Sequence, residues 1–358
     1  MARVTPFTAC WSATPEPAGA EVEDLTPATI RRWIERGAVH PDTSPAFHVL
    51  EVSPPGGRAA RFAAGALRER NGAERPLEEA SSPPPPLPLT PCLAADDHGV
   101  LAELLETAVA GAPEATQVRP DGTRARAFAV RDPALVARFS RALDDVTIRP
   151  LQPLPAQGPA LVAVAPLSDA GLELRSWHRG LRGLDVFQED RFLTLVGGYA
   201  RVYDLPAGLG TQEGRMEAAE RMATLARGSH AMLLALPGGV GKILRVRQGL
   251  ELQTFPAMPR NPTLRSVDLA LLDALVLRTV LGLKDPEHSD HVVAVASLHE
   301  LVSRVESGEL QAGFALHPPP LWEIRAVMEA GQSLPPRCVR VEPLPPQRLL
   351  FLDPGAEG

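Results

Sequence analysis

The chain has 358 residues, 44% of them hydrophobic and 22% charged, with 36 Lys and Arg against 43 Asp and Glu and a formal net charge of −7. Such a composition excludes disorder throughout, the length points to two or three packed units, and an acidic balance without a Lys/Arg run excludes nucleic acid as a partner. Cys10, Cys92 and Cys338 are far apart and fit no metal or redox spacing, which excludes a disulfide scaffold; with no apolar stretch long enough to span a bilayer, a cytoplasmic protein without membrane association is expected.

Taken in chain order, Thr26-Pro27 followed by Ile30, Trp33 and Ile34, with Gly37 behind, predicts a short amphipathic helix. Residues 46–52 and 58–67 flank Ser53-Pro54-Pro55-Gly56-Gly57 and read as a hairpin. The proline run in 81–88 cannot donate ladder hydrogen bonds and is read as an extended linker rather than a docking ligand. Val100, Leu101, Leu104, Leu105 and Val109 mark a helix, and Asp121-Gly122 turns a hairpin between 115–119 and 124–130. Asp132-Pro133 caps a helix reaching Leu143. Strands follow at 160–165, at 172–177 paired with it, at 192–196 and at 200–203, then a polar helix over 212–227.

In the last quarter, Ser266-Val267-Asp268 opens an apolar helix stopped by Gly282. Residues 291–295 read as a strand, and Ser297 and Glu300 as a capping box whose members satisfy each other's amides. Strand 310–316, helix 320–330 and strand 348–352 complete a βαβαβ-like rhythm. The expected fold class is therefore α+β, with mixed sheets and hairpins in the N-terminal and middle parts. The expected regions are 1–80, a linker at 81–91, a central mixed region at 92–260, and 261–358.

The runs LDALVLRTVLGL, VESGELQAGFALHPPPLWEIRAVMEAGQSLPPR and RLLFLDP, together with Pro6-Phe7, Trp33 to Val39, Ser44 to Val49 and Ser176-Trp177-His178-Arg179, resemble a bacterial and archaeal family known as domain of unknown function 1015. The family's P-P-Y-D-V, histidine–glutamate, A-D-G-H-H-R and M-P-x-K-S-T motifs are not intact here. Residues 73–79 read AERPLEE, 146–155 read VTIRPLQPLP, and Leu334 to Val339 stand in place of the last motif. Proline, leucine and glutamine cannot transfer protons or hold phosphate as the lost acid, imidazoles and guanidinium would. The A-D-G-H-H-R motif is similar to that of ParB-like and sulfiredoxin-like nucleotide-using proteins, some of whose relatives phosphorylate serine. The resemblance therefore implies a divergent member that has lost its site and works as a non-catalytic scaffold or regulatory protein. Its alternatives are a phosphotransferase using ATP or ADP with magnesium on a small hydroxyl compound such as serine, and a small-molecule binder. A protein partner or a second copy is expected in the first case, and no cofactor.

His178-Arg179 is the surviving family-like pair with chemical capability, an imidazole for protons and a guanidinium for anions. Without an acid or anion cradle nearby in sequence, it is read first as a strand-end cap and second as a catalytic pair. Arg175 and Arg337 are candidate binding residues by proximity. Pro237-Gly238-Gly239-Val240-Gly241-Lys242 fails the phosphate-loop spacing and lacks a following Ser or Thr, so it reads as a hairpin turn. His288, Asp290, His291, His299 and Glu300 match no metal-ligand spacing, and Cys338 is read as a buried, inert thiol despite its neighbour Arg337.

Overall fold

The computed structural model describes residues 3–12, 27–67, 89–151, 154, 160–185, 187–346 and 349–352. In chain order the strands are β1 (Val4–Thr5), β2 (Ala9–Ser12), β3 (Val39–Pro41), β4 (Phe47–Ser53), β5 (Ala60–Leu67), β6 (Thr90–Ala95), β7 (Ala115–Val118), β8 (Arg124–Val130), β9 (Thr147–Pro150), β10 (Ala160–Pro166), β11 (Glu173–Ser176), β12 (His178–Leu181), β13 (Ala200–Asp204), β14 (Ala231–Leu236), β15 (Val240–Val246), β16 (Val292–Val295), β17 (Ala312–Ala315), β18 (Val339–Glu342) and β19 (Leu350–Leu352). The helices are α1 (Pro27–Glu35), α2 (Val100–Ala108), α3 (Pro133–Asp145), α4 (Glu189–Val196), α5 (Gln212–Ala226), α6 (Pro262–Arg265), α7 (Asp268–Leu271) with a π-helical continuation over Leu272–Val280, α8 (Leu298–Glu306) and α9 (Leu321–Glu329). Mixed and antiparallel sheets with helices packed on them make this an α+β fold.

Two compact units divide the chain, one of Met1–Glu173 with Val341–Gly358, the other of Leu174–Arg340. That grouping differs from the four regions read along the sequence. The 92–260 stretch is split near 173, and the last strand returns to the first unit, where β19 pairs with β2. Long-range strand pairing, invisible to local composition, decides the boundary. The proline run at 81–88 and the 73–79 segment lie outside the described residues, while Thr90 and Pro91, placed in the linker by composition, belong to β6.

In the first unit, a sheet ordered β7-β8-β4-β5-β10-β6-β9 carries α2 and α3 on one face, closing a core of Phe47, Phe128, Phe139, Leu101, Leu104 and Leu105. The expected hairpins β4–β5 and β7–β8 are present, and Asp132 caps α3 by accepting from the Leu135 amide at 2.8 Å. Strand β10 pairs antiparallel with β5 and parallel with β6, not with residues 172–177 as expected. A second sheet, β19-β2-β3, is covered by Ile30 and Trp33 of α1.

His48, on β4, is fully buried (0% exposed), with the rings of Phe7 and Trp11 each centred 4.8 Å from its own. Among the described residues neither ring nitrogen has a hydrogen-bond partner, and Oδ2 of the neighbouring Asp42 is likewise unpartnered although its Oδ1 takes Arg131 at 2.6 Å. Burial lowers the imidazole pKa to about 4, against the pull of Asp42 and of the Phe7 carbonyl.

The second unit is built on an antiparallel sheet ordered β13-β15-β14-β17-β12-β16. Strand β14 is buried along its whole length, and α5 and α8 cover one face through Ala218, Met222, Leu301 and Val305. The β14–β15 turn at Pro237–Gly239 holds Gly238 and Gly239 at φ 74° and 72°, the hairpin reading of that glycine run. Residues 192–196 form helix α4, not a strand. Glu189 and Asp190 suit the first helical turn, and Phe192 and Val196 share a buried face four residues apart. The βαβαβ rhythm reduces to one split βαβ unit, because β16 and β17 flank β12 and both run antiparallel to it.

The apolar helix opens after Val267 instead of being capped by Ser266, whose hydroxyl donates to the Thr263 carbonyl at 3.0 Å. In the capping box, Ser297 Oγ takes the Glu300 amide at 3.1 Å, but Glu300 reaches the Ala296 amide at 3.4 Å in place of that of Ser297.

Gly180 of β12 stands opposite Gly313 of β17. A Cβ on Gly313 would sit 2.7 Å from the Leu301 side chain, and one on Gly180 2.5 Å from Leu310. The paired glycines thus let Leu301 of α8 and Leu310 lie flush on the sheet. Gly313→Ala should cost about 1–3 kcal/mol from overpacking, read as a lower denaturant midpoint at unchanged slope.

His48 yields a pH prediction. Its folded pKa lies below the unfolded value of 6.5, so the contribution is complete above 6.5 and is lost as pH falls from there towards about 4. The loss amounts to about 3 kcal/mol. In His48→Phe the acid side of the stability profile should flatten by about that amount; a profile superimposable on the wild type would refute the assignment.

Candidate functional site

The expected pair lies at the start of β12, in the second unit. Arg179 is 8% exposed, and its guanidinium donates to four backbone carbonyls: Trp177 at 3.5 Å, His178 at 3.2 Å, Pro336 at 3.2 Å and Arg337 at 3.1 Å. Burial lowers its pKa to about 10, which leaves it cationic at neutral pH. His178 accepts the Leu316 amide at Nδ1, 3.3 Å away, a geometry that requires the unprotonated nitrogen. Burial and the positive charges of Arg340 and Arg179 lower its pKa to about 4, so the ring is neutral at physiological pH.

Both side chains therefore serve the backbone. Arg179 ties the beginning of β12 to the 336–337 turn, where Arg337 adopts φ 51°, a left-handed conformation that costs a non-glycine residue about 1 kcal/mol. The turn tolerates it because both of its carbonyls face the guanidinium. Arg337 and Arg175 are exposed, and Arg340 stacks over the Trp177 ring, 5.9 Å from its centroid. Cys338 follows the turn and is 4% exposed; burial pushes its thiol up to about 12, against the pull of Arg179, and makes it a poor nucleophile.

A second polar group in the same unit escaped the linear reading. His230, immediately ahead of β14, meets Asp268, the first residue of α7, with Nδ1 and Oδ1 2.7 Å apart; the side chains are 32% and 13% exposed. The hydrogen bond to Asp268 raises the pKa of His230. Glu323, in the first turn of α9, is 5% exposed, and burial, reinforced by the charge of Asp268, raises its pKa against the help of the Ser266 hydroxyl and His230. His317 also lies within the field of Asp268, and its buried Nε2 has no hydrogen-bond partner among the described residues. In sequence His230 was only the head of an apolar strand and Asp268 the opening of a helix. A separation of 38 residues carries no spacing signal.

The remaining candidates do not converge. His288 pairs with Asp285, His291 Nδ1 lies 3.1 Å from the Arg182 carbonyl, and Glu300 bonds Arg304. Among the described residues no group of three or more His, Cys, Asp or Glu side chains is arranged to hold a metal, and no helix is long and apolar enough to cross a membrane. An open depression of about 490 Å³ on the second unit is lined by Gln212, Arg215, Met216, Ala219, Leu298 and His299, away from the His178–Arg179 pair.

No family model matches the chain, and no curated protein does. Among solved structures, a free serine kinase in complex with AMP superposes on 75% of this chain and 90% of its own at 14% identity, with a TM-score of 0.32. A conserved hypothetical protein from Pyrococcus furiosus covers 75% and 93% at 13% identity, TM-score 0.32. A free serine kinase variant in complex with ADP covers 75% and 90% at 14% identity, TM-score 0.31. TM-scores of this size leave both fold and function to be argued from the residues of this chain.

If Arg179 holds the 336–337 turn, a lysine cannot replace it, since one ammonium cannot span carbonyls on two segments. Arg179→Lys should cost about 2 kcal/mol or more by leaving carbonyls that now bond the guanidinium without a partner, measured by chemical denaturation of the purified variant. Stability equal to wild type would show that the four bonds contribute nothing.

Proposed function

We propose that the chain is a divergent relative of domain of unknown function 1015 that acts in the cytoplasm as a non-catalytic scaffold or regulatory protein, through a protein partner or a second copy. One observation carries this reading. The residues resembling the family's P-x-H-R segment are committed to the backbone, with the Arg179 guanidinium on four carbonyls and His178 held neutral by burial and by the Leu316 amide. With both terminal nitrogens of the guanidinium on main-chain carbonyls, the paired N–H groups that a bidentate phosphate or carboxylate would take are already engaged, and an imidazole titrating near 4 is poorly matched to proton transfer at neutral pH.

The competing readings, a magnesium–nucleotide phosphotransferase acting on serine or another small hydroxyl compound and a small-molecule binder, are decided by ligand-induced stabilisation. A ligand present at a hundred times its Kd stabilises the folded state by about 2.7 kcal/mol, a shift of a few degrees in Tm for units of this size. With saturating ATP or ADP and magnesium, Tm is expected to stay unchanged. A rise of that order, or phosphorylation of serine that is lost in His178→Ala, would overturn the scaffold reading.

A further inference from the structure

Three titratable side chains from three separate elements bear on one another in the second unit: His230 ahead of β14 is bonded to Asp268 at the start of α7, and both lie within the field of Glu323 in the first turn of α9. The imidazole bonds Asp268 directly at 2.7 Å and acts electrostatically on Glu323, while the two carboxylates also act on each other. We propose that these three groups form a pH-operated latch joining β14 to the N-terminal ends of α7 and α9, closed in mild acid and loosened as the pH rises through neutrality.

The chemistry follows from which charges are present. With His230 protonated, its charge is bonded to Asp268 and acts on Glu323, and so compensates the repulsion of the two carboxylates. Deprotonation leaves a neutral ring beside Asp268, and the buried Glu323, once ionised, faces a like charge across a low-dielectric setting. The groups that bear on the latch are few. Asp268 and Glu323 act on His230; Ser266 supports Glu323; His317, ahead of α9, lies within the field of Asp268; and Cys338 lies within the field of both carboxylates and of Arg179. Of these, His317 has its pKa lowered by burial, and the fixed charge of Arg179 is spent on main-chain carbonyls whichever state His230 is in, so neither takes up charge when the imidazolium is lost.

Both protons pull in one direction. His230 holds its proton more tightly folded than unfolded, so its contribution is complete below the unfolded value of 6.5 and is lost as pH rises through the raised folded value. Glu323 behaves likewise from 4.5 upward. His48 and His178 do the opposite, so a device that opens with alkali is separable from acid denaturation.

The test is hydrogen–deuterium exchange of the full chain at about pH 6 and about pH 8.5, corrected for the pH dependence of intrinsic exchange. Peptides covering 262–282 and 319–331 should lose protection by about tenfold for each pKa unit by which the latch groups are shifted, while peptides of β4 and β5 serve as the internal reference. His230→Gln, which cannot take up a proton, and Glu323→Gln, which cannot ionise, should each reduce the difference. Equal protection of those peptides in the wild type at both pH values overturns the latch, as does an undiminished difference in the two variants combined. Should a variant fail to fold, the imidazole C–H resonance of His230 in the wild type decides: titration above 6.5 supports the latch and titration at or below it overturns it.

Discussion

The second unit depends on how a guanidinium is buried at the start of a central strand. A charged group taken from water must recover its hydrogen bonds or it destabilises the fold, and Arg179 recovers them from main-chain carbonyls on two segments far apart in sequence. Several other features follow from that choice. The 336–337 turn can keep a left-handed arginine, Cys338 is drawn into the interior beside it, and β12 is fixed in register between β16 and β17. With the strand fixed, the glycine pair Gly180 and Gly313 admits α8 and Leu310 onto the sheet at close approach.

Titratable groups in the molecule divide into two sets with opposite sign. His48 and His178 are buried as neutral rings, so acid works against the fold by protonating the unfolded chain first. His230 and Glu323 are stabilised with their protons on, so alkali works against the second unit. Glu323 keeps its proton because burial favours the neutral acid, whereas between the histidines the distinction is a carboxylate in hydrogen-bond contact. His230 has Asp268 at 2.7 Å, whereas His48 has Asp42 nearby without a bond to either ring nitrogen, and burial then wins.

Local elements were legible in the sequence where a single stretch carried the information. The Asp132 cap, the 121–122 and 237–239 turns, the α2 stripe and the α5 helix follow from capping chemistry, glycine conformation and apolar spacing alone. What could not be read there is which strands pair. Residues 172–177 looked like partners of 160–165 by proximity, yet β10 takes β5 and β6, whose own positions depend on the whole sheet. Phe192 to Val196 failed for a different reason. A five-residue apolar run fits strand and helix equally, and the acidic pair ahead of it, which favours a helix N-terminus, was the discriminating signal. The candidate site divides the same way, since His178 and Arg179 stand side by side in sequence while His230, Asp268 and Glu323 meet only through folding.

This bears on how a surviving motif is interpreted. A His-Arg pair that resembles a family signature invites a catalytic reading, but a guanidinium that closes four carbonyls is required by folding whether or not the protein performs chemistry. Its presence therefore cannot discriminate between an enzyme and a scaffold; the discriminating feature is whether any donor is left over for a ligand. At Arg179 the bonds are directed at the chain itself, and at His178 the acceptor nitrogen is taken by an amide. His230 differs, because its Nδ1 is engaged while the ring is one-third exposed. The partly exposed His230, and not the motif-like pair, is thus a group in this unit whose charge can change without removing a bond to the main chain.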